Sequence, residues 1–155
     1  MTTIKAIKSG THTVVLEETV VTRYVALAET AGGFTIPGPD GSSDRHFFGI
    51  EFPGVTESAS VIYYRTRHTG KPTFTVRINQ AQLTKYTFTD QDPPERTWHE
   101  IIPAGPTLMA QNNELIFGVS GQGAAVTFGD VVIFYTSSET TIQIPIVLVG
   151  DEPSQ

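Results

Sequence analysis

Thr73-Phe74-Thr75-Val76-Arg77-Ile78-Asn79 decides the fold class. Phe74, Val76 and Ile78 are apolar and the residues between them are polar, which is the period of a strand with one face buried and one wet. Upstream, Thr69-Gly70-Lys71-Pro72 is a turn. Ser60 to His68 before it alternates again, so a hairpin is expected across that turn. Along Ser60 to His68, Tyr63, Arg65 and Arg67 fall on one side, and Ile62, Tyr64, Thr66 and His68 on the other. Downstream, Gln82 to Thr89 reads as a strand, Asp90 to Arg96 as a polar loop and Trp98 to Ile102 as a short strand ended by Pro103. Glu114 to Ser120 places Leu115, Phe117 and Val119 inward. Ala125 to Thr136 is interrupted by Gly129-Asp130, where a bulge re-phases the alternation.

Nearer the termini the same grammar holds. Thr13 to Glu18, Val20 to Ala28 and His46 to Phe52 are strand-like, with a long glycine- and proline-rich loop expected from Ala31 to Asp44. Thr140 to Val149 reads as a closing strand that Pro145 demotes to an edge or a bulge. No amphipathic helix is found. About nine strands at this spacing predict an all-β fold, an antiparallel β-sandwich of jelly-roll topology, occupying residues 1–155 as one domain.

Ten Lys and Arg against sixteen Asp and Glu leave a net charge of −6. With no basic run, that balance argues against non-specific binding to nucleic acid or an anionic membrane. Cysteine is absent, which excludes disulfides and thiolate metal sites and leaves the compartment open. Met1 to Gly10 lacks the apolar run of a signal peptide. The longest apolar runs, such as Val131 to Tyr135, are far below the roughly 18 residues of a transmembrane helix.

From Thr73 to Thr136 the chain resembles the second half of galactose-binding-like jelly rolls, the fold of many carbohydrate-binding modules. Val76-Arg77-Ile78-Asn79-Gln80 stands where that family has a strand ending in an asparagine-glycine turn. Trp98 to Pro103 is similar to its aromatic-led segment. Leu108 to Leu115, carrying Asn112-Asn113, is similar to the opening of its penultimate strand, and Asp130 to Tyr135 to its closing strand. Gln80 replaces the turn glycine, and the glycine before Asn113 is missing. The resemblance implies a glycan ligand and a structural calcium ion, for which Asp130 is the one residue matching a ligand position. A bulge carboxylate bonding local N–H groups is the other, plainer account of Asp130.

Sugar recognition needs an exposed aromatic ring and planar polar side chains. Tyr64, Arg67, His68 and Asn79 are the candidate ligand-binding residues on that criterion, with the Ala31–Asp44 loop able to close over them. A wet sheet surface with cross-strand pairs accounts for the same residues. The histidines, His12, His46, His68 and His99, make no local chelating spacing, so no cofactor beyond the calcium is expected. Ser120 lacks the glycine offsets of a nucleophile elbow, and a catalytic site is not expected. The expected function is therefore a non-catalytic, glycan-binding module. The alternative is a structural, self-assembling subunit, a homo-oligomer joined through the terminal strand. There Ile142, Ile144, Ile146 and Leu148 lie on one face, with Val147 and Val149 on the other.

Overall fold

The computed structural model describes residues 2–9, 12–28, 33–38 and 44–143. Alternation produces ten strands and, among the described residues, no helix: β1 (Thr2–Ser9), β2 (His12–Leu27), β3 (Phe34–Pro37), β4 (Asp44–Ile50), β5 (Ser60–Thr69), β6 (Thr73–Ile78), β7 (Ala81–Thr87), β8 (Glu95–Ile102), β9 (Asn113–Ser120) and β10 (Ala125–Gln143). Two compact units divide the chain, Thr22–Ser137 and Met1–Val21 with Ser138–Gln155.

The larger unit is a sandwich of two sheets. One has the order β2-β10-β5-β8, with β3 also pairing β10, and the other has the order β4-β9-β6-β7. The pairings are nested. β6 and β7 form the innermost hairpin, β5 pairs β8 outside it, β4 pairs β9 outside that, and β10 takes β3 and β2. A long hairpin rolled into two sheets is a jelly roll, as the strand count and turn spacing predict.

The inner faces meet in one core. Ile62 and Tyr64 of β5 and Phe128 and Ile133 of β10 pack against Phe74 and Val76 of β6 and Leu115 and Phe117 of β9. Phe117 and Phe128 bring their rings to 4.7 Å across the sheets in a tilted arrangement, within the attractive range for aromatic pairs. The expected bulge is present: the register with β5 shifts between Gly129 and Val132, and Asp130 adopts a positive φ of 49°. Val131, Ile133 and Tyr135 are thereby returned to the core.

Elsewhere the chain departs from the sequence expectation. Residues 69–72 do not close a hairpin. β5 is already flanked by β10 and β8, so both its edges are saturated and the chain must cross to the other sheet to form β6. The local hairpin is β6–β7, turning at Asn79, whose φ is 50°. The Ala31–Asp44 segment is not one loop, because Phe34–Pro37 joins β10 as β3. Gly33 makes that junction possible: its φ is +58°, and a Cβ there would lie 1.9 Å from the Phe128 carbonyl oxygen. β2 is continuous where two strands are expected. Thr140 to Gln143 finish β10 rather than opening a new strand, and residues 144–149 of the expected terminal strand lie outside the described residues.

In the smaller unit β1 pairs β2 antiparallel from Thr2 opposite Thr19 to Ser9 opposite His12. The Ser138 hydroxyl donates to the Glu18 carboxylate.

Candidate functional site

The face of β5 chosen from sequence as the ligand face is the core face. Tyr64 is completely buried, flanked by Trp98, Phe74 and Phe117. Its hydroxyl shares a 2.8 Å hydrogen bond with that of Thr84, and burial pushes the phenol well above the ordinary tyrosine range. A tyrosine satisfied this way is a core residue with a polar tip, and no sugar can reach its ring. Thr66 is buried beside it and accepts the Trp98 indole N–H at 2.8 Å, the partner that a buried tryptophan needs.

His68 is half-buried with one ring face covered by Phe88 at 3.9 Å. Its nitrogens face the carbonyls of Gly70 at 3.1 Å and Pro93 at 3.3 Å, so they hold loops and turn no acceptor outward. The same loop is pinned by Tyr86, whose hydroxyl donates to Asp92 at 2.6 Å. That hydrogen bond raises the phenol and holds the Asp92 carboxyl below the usual carboxylate range, helped by the Thr89 backbone N–H.

Arg67 is exposed but bound to Glu95 at 3.5 Å. Asn79 is also occupied. Its amide donates to the Thr107 carbonyl and to Asn113 Oδ1, and its oxygen accepts the Glu114 N–H. Asp130, the calcium candidate, lies 2.9 Å from the Arg65 guanidinium. Its charge is answered by a cation of the protein itself, and no group of three metal-ligating side chains gathers among the described residues.

The polar and aromatic surface sought on β5 lies instead on the outer face of the β4-β9-β6-β7 sheet. Strand alternation puts His46 and Phe48 on the side of β4 that meets Phe34, Phe48 half-buried and His46 still exposed, so Arg45 and Phe47 point the other way, out to solvent. Phe47 is 52% exposed. Register places Phe47 opposite Ile116, Ile116 opposite Arg77 and Arg77 opposite Gln82. A second row runs Arg45, Gly118, Thr75, Lys85. Each row crosses four strands, about 14 Å at the usual strand spacing. Gly118 has no side chain, and a shallow cleft of about 210 Å³ opens over it, walled by Arg45, Thr75, Arg77, Gln82 and Ile116.

A larger cleft of about 570 Å³ sits at the turn end of β6 and β9, lined by residues including Asn79, Gln80, Thr107, Met109, Asn112 and Glu114. Asn79 forms part of its wall, held in place by the hydrogen bonds to Thr107, Asn113 and Glu114 described above. Of the candidate ligand residues Asn79 lines this larger cleft, and Arg77, on the wet face of the same strand, lines the shallow one. Phe47 and Gln82 were missed, although Arg45-x-Phe47-x-Gly49 alternates against His46-x-Phe48-x-Ile50 and carries the signal. The adjacent phenylalanines hide which of the two faces is wet.

No family model, curated protein or solved structure matches the chain.

Proposed function

We propose that the chain is a non-catalytic glycan-binding module whose contact surface is the outer face of the β4-β9-β6-β7 sheet. The observation that carries this reading is Phe47, an aromatic ring left half-exposed on a sheet face beside a side-chain-free floor and a fence of planar polar groups. A sugar ring offers C–H surface on one side and hydroxyls at its rim. Phe47 supplies the stacking partner. Arg77 and Gln82, opposite each other on neighbouring strands, supply donors and an acceptor in fixed planes. A rigid sheet holds these groups more accurately than loops would.

Phe47→Ala is expected to weaken binding to a responsive glycan about tenfold, by analogy with the worth of an aromatic pair. Its melting temperature should stay near that of the unmodified chain, because half of the ring is already in water. Glycan-array screening followed by titration calorimetry measures the first effect and calorimetric unfolding the second. An array without a single responsive glycan removes the proposal.

The opposite sheet favours a second reading, that of a self-assembling subunit. Ile101, Val61 and Phe134 stand in one register row on the outer face of β8, β5 and β10, and Tyr24 of β2 lies 6.3 Å from Phe134 ring to ring. All four are exposed, Ile101 and Tyr24 by about two-thirds (70% and 68%). An apolar row across four strands is more than scattered surface hydrophobicity. If it joins copies, Phe134→Lys should convert an oligomer to monomer in light scattering. A monomer at micromolar concentration before any substitution excludes that reading.

A further inference from the structure

The chain carries a net charge of −6, yet the candidate face is basic. Its two central rows hold Arg45, Arg77 and Lys85 and no carboxylate. The nearest acid on that face is Glu114, two residues beyond Ile116 toward the larger cleft. Four other cations of the sandwich are matched by carboxylates. Arg65 and Arg67 pair with Glu95, Lys71 with Asp90, and Arg96 with Asp92. Among the described residues neither Arg77 nor Lys85 has an ion pair or hydrogen bond.

Thr75 is directly opposite Lys85, and Arg77 is the next outward residue on β6. Arg77 and Lys85 are therefore diagonal neighbours, about 7–8 Å apart at the backbone. Arg45 lies two strands away from Thr75 across Gly118, about 10 Å. Arg45 and Arg77 thus wall one glycine-floored depression, with Lys85 opposite Thr75 at its side. Arg77 and Lys85 repel each other at such spacing, and with no ion pair or hydrogen bond of their own among the described residues they favour an anion laid between them.

We infer that the ligand of this face is an acidic glycan, one whose sugars bear carboxylate or sulfate groups. The inference rests on the glycan-binding reading above and names the substrate class of that site. Arg77 is the specificity residue, because a guanidinium fork matches a carboxylate or sulfate edge with two parallel donors. Lys85 and Arg45 act as point charges on either side, and Phe47 keeps the sugar ring flat on the sheet. The larger cleft begins where Arg77 and Ile116 give way to Asn79 and Glu114, so the two openings follow one another along β6 and β9. That alignment suits a chain of sugars rather than a single one.

The test uses the full chain with polygalacturonate, its fully methyl-esterified counterpart, dextran sulfate, neutral dextran and single-stranded DNA. Polygalacturonate is expected to bind at least tenfold tighter than the methyl ester at low salt. Raising the salt to about 1 M, where the screening length falls to about 3 Å, should erase the difference. Arg77→Gln should remove about tenfold of the polygalacturonate affinity and leave methyl-ester binding unchanged. Lys85→Gln, at an exposed position, should do the same to a smaller degree and guards against a folding defect. Stronger binding of dextran sulfate than of polygalacturonate would name sulfate as the recognised group. Equal affinity for polygalacturonate and its ester overturns the acidic-ligand inference and leaves the glycan-binding reading standing. Binding of DNA as tight as that of either acidic glycan overturns it as well, since any polyanion would then serve. No binding to any of the four polysaccharides, or on an array, overturns both.

Discussion

Tyr64→Ala is expected to destabilise the protein by about 3–5 kcal/mol, the usual cost of emptying a large aromatic site in a packed core. The melting temperature should fall by about 10 °C or more. The ring is completely buried between two sheets, with Trp98 stacked beside it at 6.2 Å and Phe117 edge-on at 6.0 Å. Such neighbours cannot collapse into the gap without leaving their strands. Tyr64→Phe isolates the hydroxyl. It keeps the packing and strands Thr84, a buried residue whose hydroxyl is paired with that of Tyr64, so about 1–3 kcal/mol should be lost. Urea denaturation of both variants measures the two costs. An alanine variant that melts with the parent would return Tyr64 to the surface and undo the assignment of the β5 faces.

A comparable loss is expected from a single amide. Asn113 is 2% exposed, and its side chain makes four hydrogen bonds. Its oxygen accepts from the Met109 N–H at 2.8 Å and from the Asn79 amide at 2.9 Å. Its nitrogen donates to the carbonyls of Ile50 at 3.1 Å and Met109 at 2.6 Å. Three separate pieces of chain, the end of β4, the β8–β9 loop and the β6–β7 turn, therefore meet on one residue. Asn113→Ala orphans backbone groups from two of them, each at about 1–3 kcal/mol, so on the order of 3 kcal/mol or more should disappear. Asn113→Asp gives a sharper readout. The ionised carboxylate would face two carbonyl oxygens, a setting that raises its pKa. Stability gained by protonation is fully present below the unfolded pKa and is lost as the pH rises from there through the raised folded pKa. The aspartate variant should thus be closer to the parent at acid pH than at neutral pH. Urea midpoints across that range decide the matter, and a pH-independent deficit would contradict the geometry.

What sequence could and could not reveal divides along a physical line. Period-two alternation gives the inward residues of β6, β9 and β10 directly, because Phe74, Val76, Leu115, Phe117 and Ile133 have unambiguous polar neighbours. The bulge at Gly129-Asp130 was legible for the same reason: it is the point where the alternation slips. β5 offers no such contrast. Tyr63, Tyr64, Arg65, Thr66, Arg67 and His68 carry polar groups on both faces. Only the partners, Thr84 for Tyr64 and Phe88 for His68, show which polar groups are satisfied inside. Thr84 lies on β7 and Phe88 just past its end, beyond any local window. The turn at 69–72 misled for a related reason. A turn signal specifies that the chain reverses, whereas staying in one sheet or crossing to the other depends on which edges are already taken. The candidate face was half legible through Arg77, and its aromatic member was hidden by the Phe47-Phe48 doublet.

The nested pairing of strands also orders the events by which the chain can reach this fold. Tyr64 meets Thr84 across 20 residues, Trp98 meets Thr66 across 32, Asn113 meets Ile50 across 63 and Thr35 meets Thr127 across 92. Closing a loop costs chain entropy that grows with the logarithm of its length. Starting at the outermost pair would cost about 1.4 kcal/mol more than starting between Tyr64 and Thr84. Once β6 and β7 are shut, β5 and β8 are brought toward each other, and each later pair inherits a shortened path. Assembly from the middle of the chain outward is the cheapest route that this topology permits.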